Sequence, residues 1–377
     1  MKFIHLSDLH IGKRVNEFSM LEDQKYILKE ILGIIEDEKP DGIFIAGDVY
    51  DKSVPSAEAV QLFDDFLCSL AKRNLQVFII SGNHDSAERL AFGGRLLDVS
   101  GIHISPVFDG TLSPVTLSDE FGNLNVYMLP FIKPILVKRF FPDAEIESYT
   151  DAVRTVTESI CLNPNERNVI IAHQFVTGAL RSESEEISVG GSDNVDVTVF
   201  DGFDYVALGH IHSPQKMSRE TVRYCGTPLK YSFSEAGHKK SVTVAEFCEK
   251  GEVSVHTVPL VPLRDLREIK GSYEEITLKS SYENTNCDDF VHITLTDEED
   301  IPDCIGKLRI IYPNLMKLDY DNKRTRSNAD LGMAESVETK SPLSLFSEFY
   351  EKQNNQPMSK EQEAFVNDLI EKIWEDN

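Results

Sequence analysis

Cationic side chains are scarce in this chain of 377 residues: 38 Lys and Arg stand against 63 Asp and Glu, a formal net charge of −25. Phosphate backbones are gripped mainly by Lys and Arg, so this balance excludes a protein that coats nucleic acid by electrostatics alone. A polyanionic substrate would need bound cations, local basic spots or a partner; otherwise the acidic charge serves solubility. Cysteine is sparse too. The six, Cys68, Cys161, Cys225, Cys248, Cys287 and Cys304, lie far apart with no C-x-x-C, which excludes a zinc knuckle and a disulfide framework and predicts ordinary, mostly buried thiols. Long apolar runs are also missing. None approaches the roughly 18 residues of a membrane span, and "MKFIHLSDLH" has no signal-peptide pattern, so the expectation is a cytoplasmic protein.

What is present is a series of short apolar strands, each running straight into a polar tip. "MKFIHLSD", "DGIFIAGD", "LQVFIISGNHD", "RNVIIAHQF" and "FDYVALGHIH" all read this way. Between the second and third, "SAEAVQLFDDFLCSLAKRN" carries Val60, Phe63, Phe66, Leu67 and Leu70 at helical spacing. Strands buried on both faces and separated by helices predict an α/β sheet, or two such sheets packed into a sandwich. On length alone, two or three domains are expected. The tips carry Asp8 and His10, Asp48, Asn83 and His84, His173, and His210 and His212. Ligands of open α/β sheets bind outside the carboxyl ends of the strands, so these tips can converge on one crevice. A lone strand-end Asp is a turn former and a lone His a hydrogen-bonded residue; five tips that all end in ligand types point to metal.

The blocks "DLH" (8–10), "GDVYD" (47–51), "GNHD" (82–85), His173 and "GHIH" (209–212) stand in the order of the calcineurin-like metallophosphoesterase pattern, which the chain resembles. Within that superfamily "IHLSDLHIGK", "IAGDVYDKSVPSAEA", "ISGNHDSAERLAFGGRLL", "ALGHIH" and "CGTPLKYSFSE" are similar to the SbcD family of bacterial nuclease subunits. The resemblance implies a sandwich of two mixed β-sheets flanked by helices, with a small α+β capping domain and a C-terminal helical tail. It also implies two metals, which need a shared anionic bridge if they are to clamp a phosphoryl group about 3.5–4 Å apart. By resemblance Asp48 is that bridge, Asp8, His10 and His212 complete one metal, and Asn83, His173 and His210 complete the other. Carboxylate, amide and imidazole donors suit manganese, with iron or zinc as competitors. Glycines before Asp48 and Asn83 are expected to permit sharp turns.

Adjacent side chains diverge, which argues against His84 as a ligand beside Asn83; its expected work is to steady the scissile phosphate and protonate the leaving oxygen. Asp51 occupies the family's position for an orienting carboxylate, and Asp85 is expected to hold the turn. "LRSESEEISVGGSDNVD" (180–196) reads as a loop near the site. The stripe Leu90, Phe92, Leu96 and Leu97 is ordinary packing by pattern, whereas the resemblance suggests that it pairs two subunits.

The expected divisions are a nuclease domain over 1–262, a capping domain over 263–322, a linker over 323–340 containing "KRTR", and a helical segment over 341–377. In that segment Leu345, Phe346, Phe349 and Tyr350 form one stripe, and Phe365, Val366, Leu369, Ile370, Ile373 and Trp374 another, opened by a Ser359…Gln362 capping box. The resemblance assigns these helices, with Phe349, Phe365, Ile370 and Trp374 as anchors, to the coiled coil of an SbcC-type ATPase. The implied function is a manganese-dependent DNA nuclease within a heterotetramer: exonuclease on double-stranded ends, endonuclease on single strands and hairpins, serving repair, replication and recombination. The alternatives are a phosphoesterase of cyclic or dinucleotide substrates and a non-catalytic scaffold.

Overall fold

A computed structural model describes residues 1–185, 193–323, 325, 342–354 and 357–375, with side chains of the last two segments over 343–351 and 357–370. The chain divides into two compact units, Met1–Leu266 and Arg267–Asn377. In the first, two six-stranded mixed sheets form the frame. One runs Val253–Pro259, Ser241–Phe247, Lys2–Leu6, Gly42–Ala46, Gln76–Ile80, Ile102–Ile104, its last four strands parallel. The other runs Gln215–Met217, Arg219–Tyr224, Tyr205–Gly209, Arg167–His173, Gly122–Leu129, Val115–Asp119, with the four central strands parallel.

Period-two alternation places the core. Phe3, Phe44 and Phe78 from one sheet meet Val126, Val169, Ile171 and Ala207 from the other in a single buried cluster. Phe3 stacks on Phe44 with ring centroids 4.5 Å apart. The neighbouring residues Ile170, Ala172, Val206 and Leu208 face outward into a second cluster, completed by Ala152, Val153 and Val156 of the helix Tyr149–Glu158. That helix starts at a capping box in which Ser148 and Asp151 satisfy each other's backbone N–H groups. Helix Leu21–Glu38 buries Ile27, Leu28, Ile31 and Ile35. Helix Ala57–Ala71, capped by Ser56, buries Phe63, Phe66 and Leu70, but Val60 of the expected stripe is 45% exposed. The cysteines are all free, and only Cys225 and Cys304 are buried, fewer than expected.

The second unit holds the three-stranded sheet Leu266–Gly271, Phe290–Leu295, Leu315–Tyr320 over a core of Ile276, Val291, Ile293, Leu308 and Tyr312. Helix Cys304–Arg309 connects the last two strands, which are parallel, as the strand–helix–strand pattern requires. Helices Pro342–Asn354 and Lys360–Glu375 follow. Of the expected linker, residues 326–340 lie outside the described residues, as does Arg324 of "KRTR".

One buried cation ties the sheets at the edge away from the strand tips. Arg167, 2% exposed, donates to both Asp119 carboxylate oxygens and to the carbonyls of Gly122 and Cys248, the last at the end of a strand in the opposite sheet. Its guanidinium, together with lesser contacts, holds the Asp119 carboxyl down at about 2 although burial opposes this. Arg167→Met should cost about 2 kcal/mol, since it removes charged hydrogen bonds but leaves a half-buried Asp119 still paired with the N-terminal ammonium, read as a lowered urea midpoint. Because the Asp119 pKa is depressed, the pair's contribution is full above about pH 4 and is lost as pH falls toward 2. The deficit of the variant should therefore shrink over that window, and a deficit constant with pH would contradict the assignment.

Candidate metal centre

Four of the strand-tip residues adopt left-handed backbone conformations that non-glycine residues rarely take: Asp8 (φ 52°), His10 (φ 44°), Asp48 (φ 50°) and His210 (φ 102°). Such strain persists only where the surroundings over-determine it. They do so here. Asp8 N donates to Gly47 O at 3.0 Å, His10 N to Asp48 O at 2.9 Å, and His210 N to Asp8 Oδ1 at 3.0 Å. The Asp85 carboxylate accepts from Val49, Tyr50 and Gly82 N–H groups at 2.9–3.1 Å, fastening two tip loops together. Gly47 has φ +86°, which its turn requires. At Gly82 the requirement is room rather than dihedral freedom, since a Cβ there would overlap Asp48 Oδ1.

All the expected ligand residues converge. Asp48 Oδ2 lies 3.2 Å from His173 Nε2 and 3.7 Å from His10 Nε2. On one side of it, His10 Nε2 faces His212 Nε2 at 3.2 Å, and donor atoms of Asp8, His10 and His212 all lie within 4.8 Å of one another. On the other, Asn83 Oδ1 is 3.0 Å from both His173 Nε2 and His210 Nδ1. Asp8, His10, Asp48, His173, His210 and His212 are buried, and Asn83 is half-buried.

Burial shifts several of these groups. It raises Asp8 to about 6 and lowers His210 to about 3, and it pushes His10 well below the ordinary imidazole value. Against burial, His173 holds Asp48 far below the carboxylate range, while Asp48 and then Asp8 lift His173 to about 9. The donor set fits divalent metal directly: imidazole nitrogens face one another at hydrogen-bond distance, no thiolate takes part, and His10 Nδ1 is buried without a hydrogen-bond partner. Loading this site with metal displaces protons.

His84 sits half-buried beside the ligands, its ring 4.8 Å from that of His10. A ring nitrogen of His84 also falls within 4.8 Å of donor atoms of His10 and Asp48, closer to the ligand cluster than side-chain divergence suggested. Its Nδ1 is 3.1 Å from the Asp51 main-chain carbonyl. The Asp51 carboxylate instead accepts from Lys13 Nζ at 2.8 Å and lies 3.8 Å from His10 Nδ1. Asp51 therefore meets His84 through its backbone, where the sequence suggested its carboxylate.

Sequence reading missed several residues that hold the ligands. Gln24 and Tyr231 donate to the carbonyls of His10 and Leu9. Ser184, Glu185, Glu235 and Lys240 surround His212. The block "CGTPLKYSFSE", which ends at Glu235, and the segment 180–196, read as a loop near the site, signalled part of this, and neither carries ligand-type spacing.

Residues 1–214 match the calcineurin-like phosphoesterase family, and residues 262–354 match the family described as the type 5 capsule protein repressor C-terminal domain. Over 377 residues, 98% of each chain, the sequence is 33% identical to the SbcD subunit of the nuclease SbcCD from Staphylococcus epidermidis. This chain belongs to the SbcD family. Its SbcD kinship spans both units, and the phosphoesterase match covers every strand tip that carries a candidate ligand. Among solved structures, a dimetal phosphatase from Danio rerio is 11% identical with a TM-score of 0.43, covering 70% of this chain and 98% of that one. The phosphoesterase Yfce from E. coli is 14% identical with a TM-score of 0.28, covering 69% of this chain and 100% of its own. Among the described residues no helix is long and apolar enough to cross a membrane.

Proposed function

We propose that this SbcD-family chain is a manganese-dependent DNA nuclease that hydrolyses phosphodiesters at a two-metal centre and works with an SbcC-type ATPase. The observation that carries this reading is the position of Asp48 Oδ2 between His173 Nε2 at 3.2 Å and His10 Nε2 at 3.7 Å, one carboxylate facing two ligand sets. Asp8, His10 and His212 would hold one cation with Asp48, and Asn83, His173 and His210 would hold the other. When bound, the pair supplies an acidified water and neutralises charge on the phosphate. The −25 charge of the chain makes that supply of positive charge necessary.

His84 then acts on the substrate. Its Nδ1–H donates to the Asp51 carbonyl, which fixes the ring and leaves Nε2 to donate to a phosphate oxygen and pass its proton to the leaving oxygen. Unit Met1–Leu266 contains the residues read as the nuclease domain, 1–262, together with 263–266 of the 263–322 read as a DNA-positioning cap, and unit Arg267–Asn377 contains the rest of that cap. Substrates are double-stranded ends for exonuclease action and single strands or hairpins for endonuclease action. A phosphoesterase of small cyclic or dinucleotide substrates needs neither a cap nor an apolar tail.

Two surfaces support the partners. Phe92, Leu96 and Val99 are 87%, 80% and 92% exposed, an apolar patch suited to a second copy of the chain within a heterotetramer. In the tail, Phe346, Phe349 and Phe365 are 42%, 60% and 69% exposed. Reciprocal bonds between Ser359 and Gln362 cap the last helix, and Gln362 Nε2 reaches Tyr350 OH at 3.0 Å, joining the two helices. Phe349, Phe365 and Ile370 are anchors for the ATPase coiled coil. Trp374, the fourth, lies in helix Lys360–Glu375 with its side chain outside the described residues.

His84→Ala should keep both metals and DNA binding yet lose on the order of 10²–10⁴-fold in cleavage of hairpin DNA with manganese, the usual worth of a positioned proton donor. Asp51→Asn, which retains the carbonyl, should lose less. Loss of metal from His84→Ala would make it a ligand, and a wild-type protein that cleaves a generic phosphodiester dye but no DNA would favour the small-molecule reading.

Truncation before Ser341 should leave cleavage of single-stranded DNA unchanged and abolish co-purification with the ATPase. A truncated chain that forms the complex at wild-type affinity would refute the tail assignment.

A further inference from the structure

Each histidine has a second ring nitrogen, and the partner of that nitrogen decides which one faces a metal. His173 places Nδ1 2.8 Å from Ala46 O, a main-chain carbonyl of the first sheet, so the fold itself sets this ring. His212 is set differently. Its Nδ1 is 2.6 Å from Ser184 Oγ, which is 2.5 Å from Glu235 Oε1. Glu235 is fully buried and paired with Lys240 Nζ at 2.5 Å. Lys240 Nζ also donates to His212 O at 2.8 Å and Thr227 Oγ1 at 2.7 Å. Glu185, on the same segment as Ser184, accepts from His212 N at 2.7 Å.

Proton direction along this chain is forced. An ammonium only donates, and a carboxylate paired with it only accepts. Ser184 has one proton, and the charged Glu235 oxygen at 2.5 Å is a stronger acceptor for it than Ser182 Oγ at 2.9 Å, so its oxygen accepts from His212. Nδ1 of His212 therefore carries hydrogen, and the Nε2 lone pair is turned inward toward His10.

We propose that Ser184 is a positioning residue that fixes the Nδ1–H tautomer of His212, making the Asp8/His10/His212 half of the centre depend on the segment 181–185, whereas His173 of the other half takes its tautomer from the first sheet. The two halves are then unequal at these histidines: His173 is held by the frame, and His212 by a segment whose Leu180 neighbour is 76% exposed. None of the strand-tip motifs contains Ser184 or Glu235.

This inference rests on the two-metal reading, and metal titration separates the two. Full-length wild-type, Ser184→Ala and Ser184→Thr proteins, freed of metal, are titrated with Mn²⁺ against a chelating dye, with electron paramagnetic resonance reporting whether bound ions are coupled. Wild type should bind two ions; Ser184→Ala should weaken one site by about 10- to 100-fold, the usual effect of losing a ligand's outer partner, and leave the other within about twofold. At limiting manganese the coupled signal should give way to that of an isolated ion. Ser184→Thr, which keeps the hydroxyl, should restore both sites. Equal weakening of both sites, no weakening, or a threonine variant as impaired as the alanine one would overturn the proposal. So would a fall in the melting midpoint of metal-free Ser184→Ala matching the loss of metal, since that marks a structural role. A wild type that binds fewer than two ions would instead overturn the two-metal reading itself.

Discussion

A carboxylate 2% exposed, flanked by an imidazole from each of two sheets, is the constraint around which this chain is arranged. Asp48 follows the strand Gly42–Ala46 of the first sheet, while His173 ends Arg167–His173 of the second. For one oxygen to face both ligand sets, the carboxyl edges of the two sheets must meet, and the inter-sheet layer of Phe3, Phe44, Phe78, Val169 and Ile171 fixes how they do. Gly47 and Gly82 are needed because no side chain fits between the tips at that approach. Left-handed backbone at Asp8, His10, Asp48 and His210 is the conformational consequence.

The same arrangement is electrostatically incomplete without added positive charge. Two buried aspartates share a cavity with His10 and His210, whose charged forms burial disfavours, while Asp48 and then Asp8 raise His173 against burial. A divalent metal held there would supply positive charge and coordinate the carboxylate and imidazole donors. An acidic chain that lacks the Lys and Arg for broad phosphate binding can in this way concentrate positive charge at the bond to be cut.

The sandwich and the convergence of the candidate ligands were legible in the sequence because each candidate sits at a fixed offset from an apolar run whose length and β-branched content mark a strand. The remainder was hidden for identifiable reasons. The Asp51 contact with His84 is a main-chain carbonyl, which no residue type encodes. Ser184 and Glu235 are 51 positions apart and of common types, so their meeting at His212 is set by tertiary folding. Val60 continues the helical period of its neighbours yet faces outward, since periodicity gives a face but not its width. At Phe92 and Leu96 the pattern is that of a packed stripe, and whether its cover comes from the same chain or another is not written in the spacing.

The central claim is that Asp48 serves both metals at once. Counting Mn²⁺ bound per chain by equilibrium dialysis and elemental analysis, in wild type and in Asp48→Ala, tests it most directly. The account predicts two ions in the wild type and loss of both on removing the shared carboxylate, with the metal-free fold retained. An Asp48→Ala protein that still holds two ions, or that loses one and keeps the other at wild-type affinity, would contradict it.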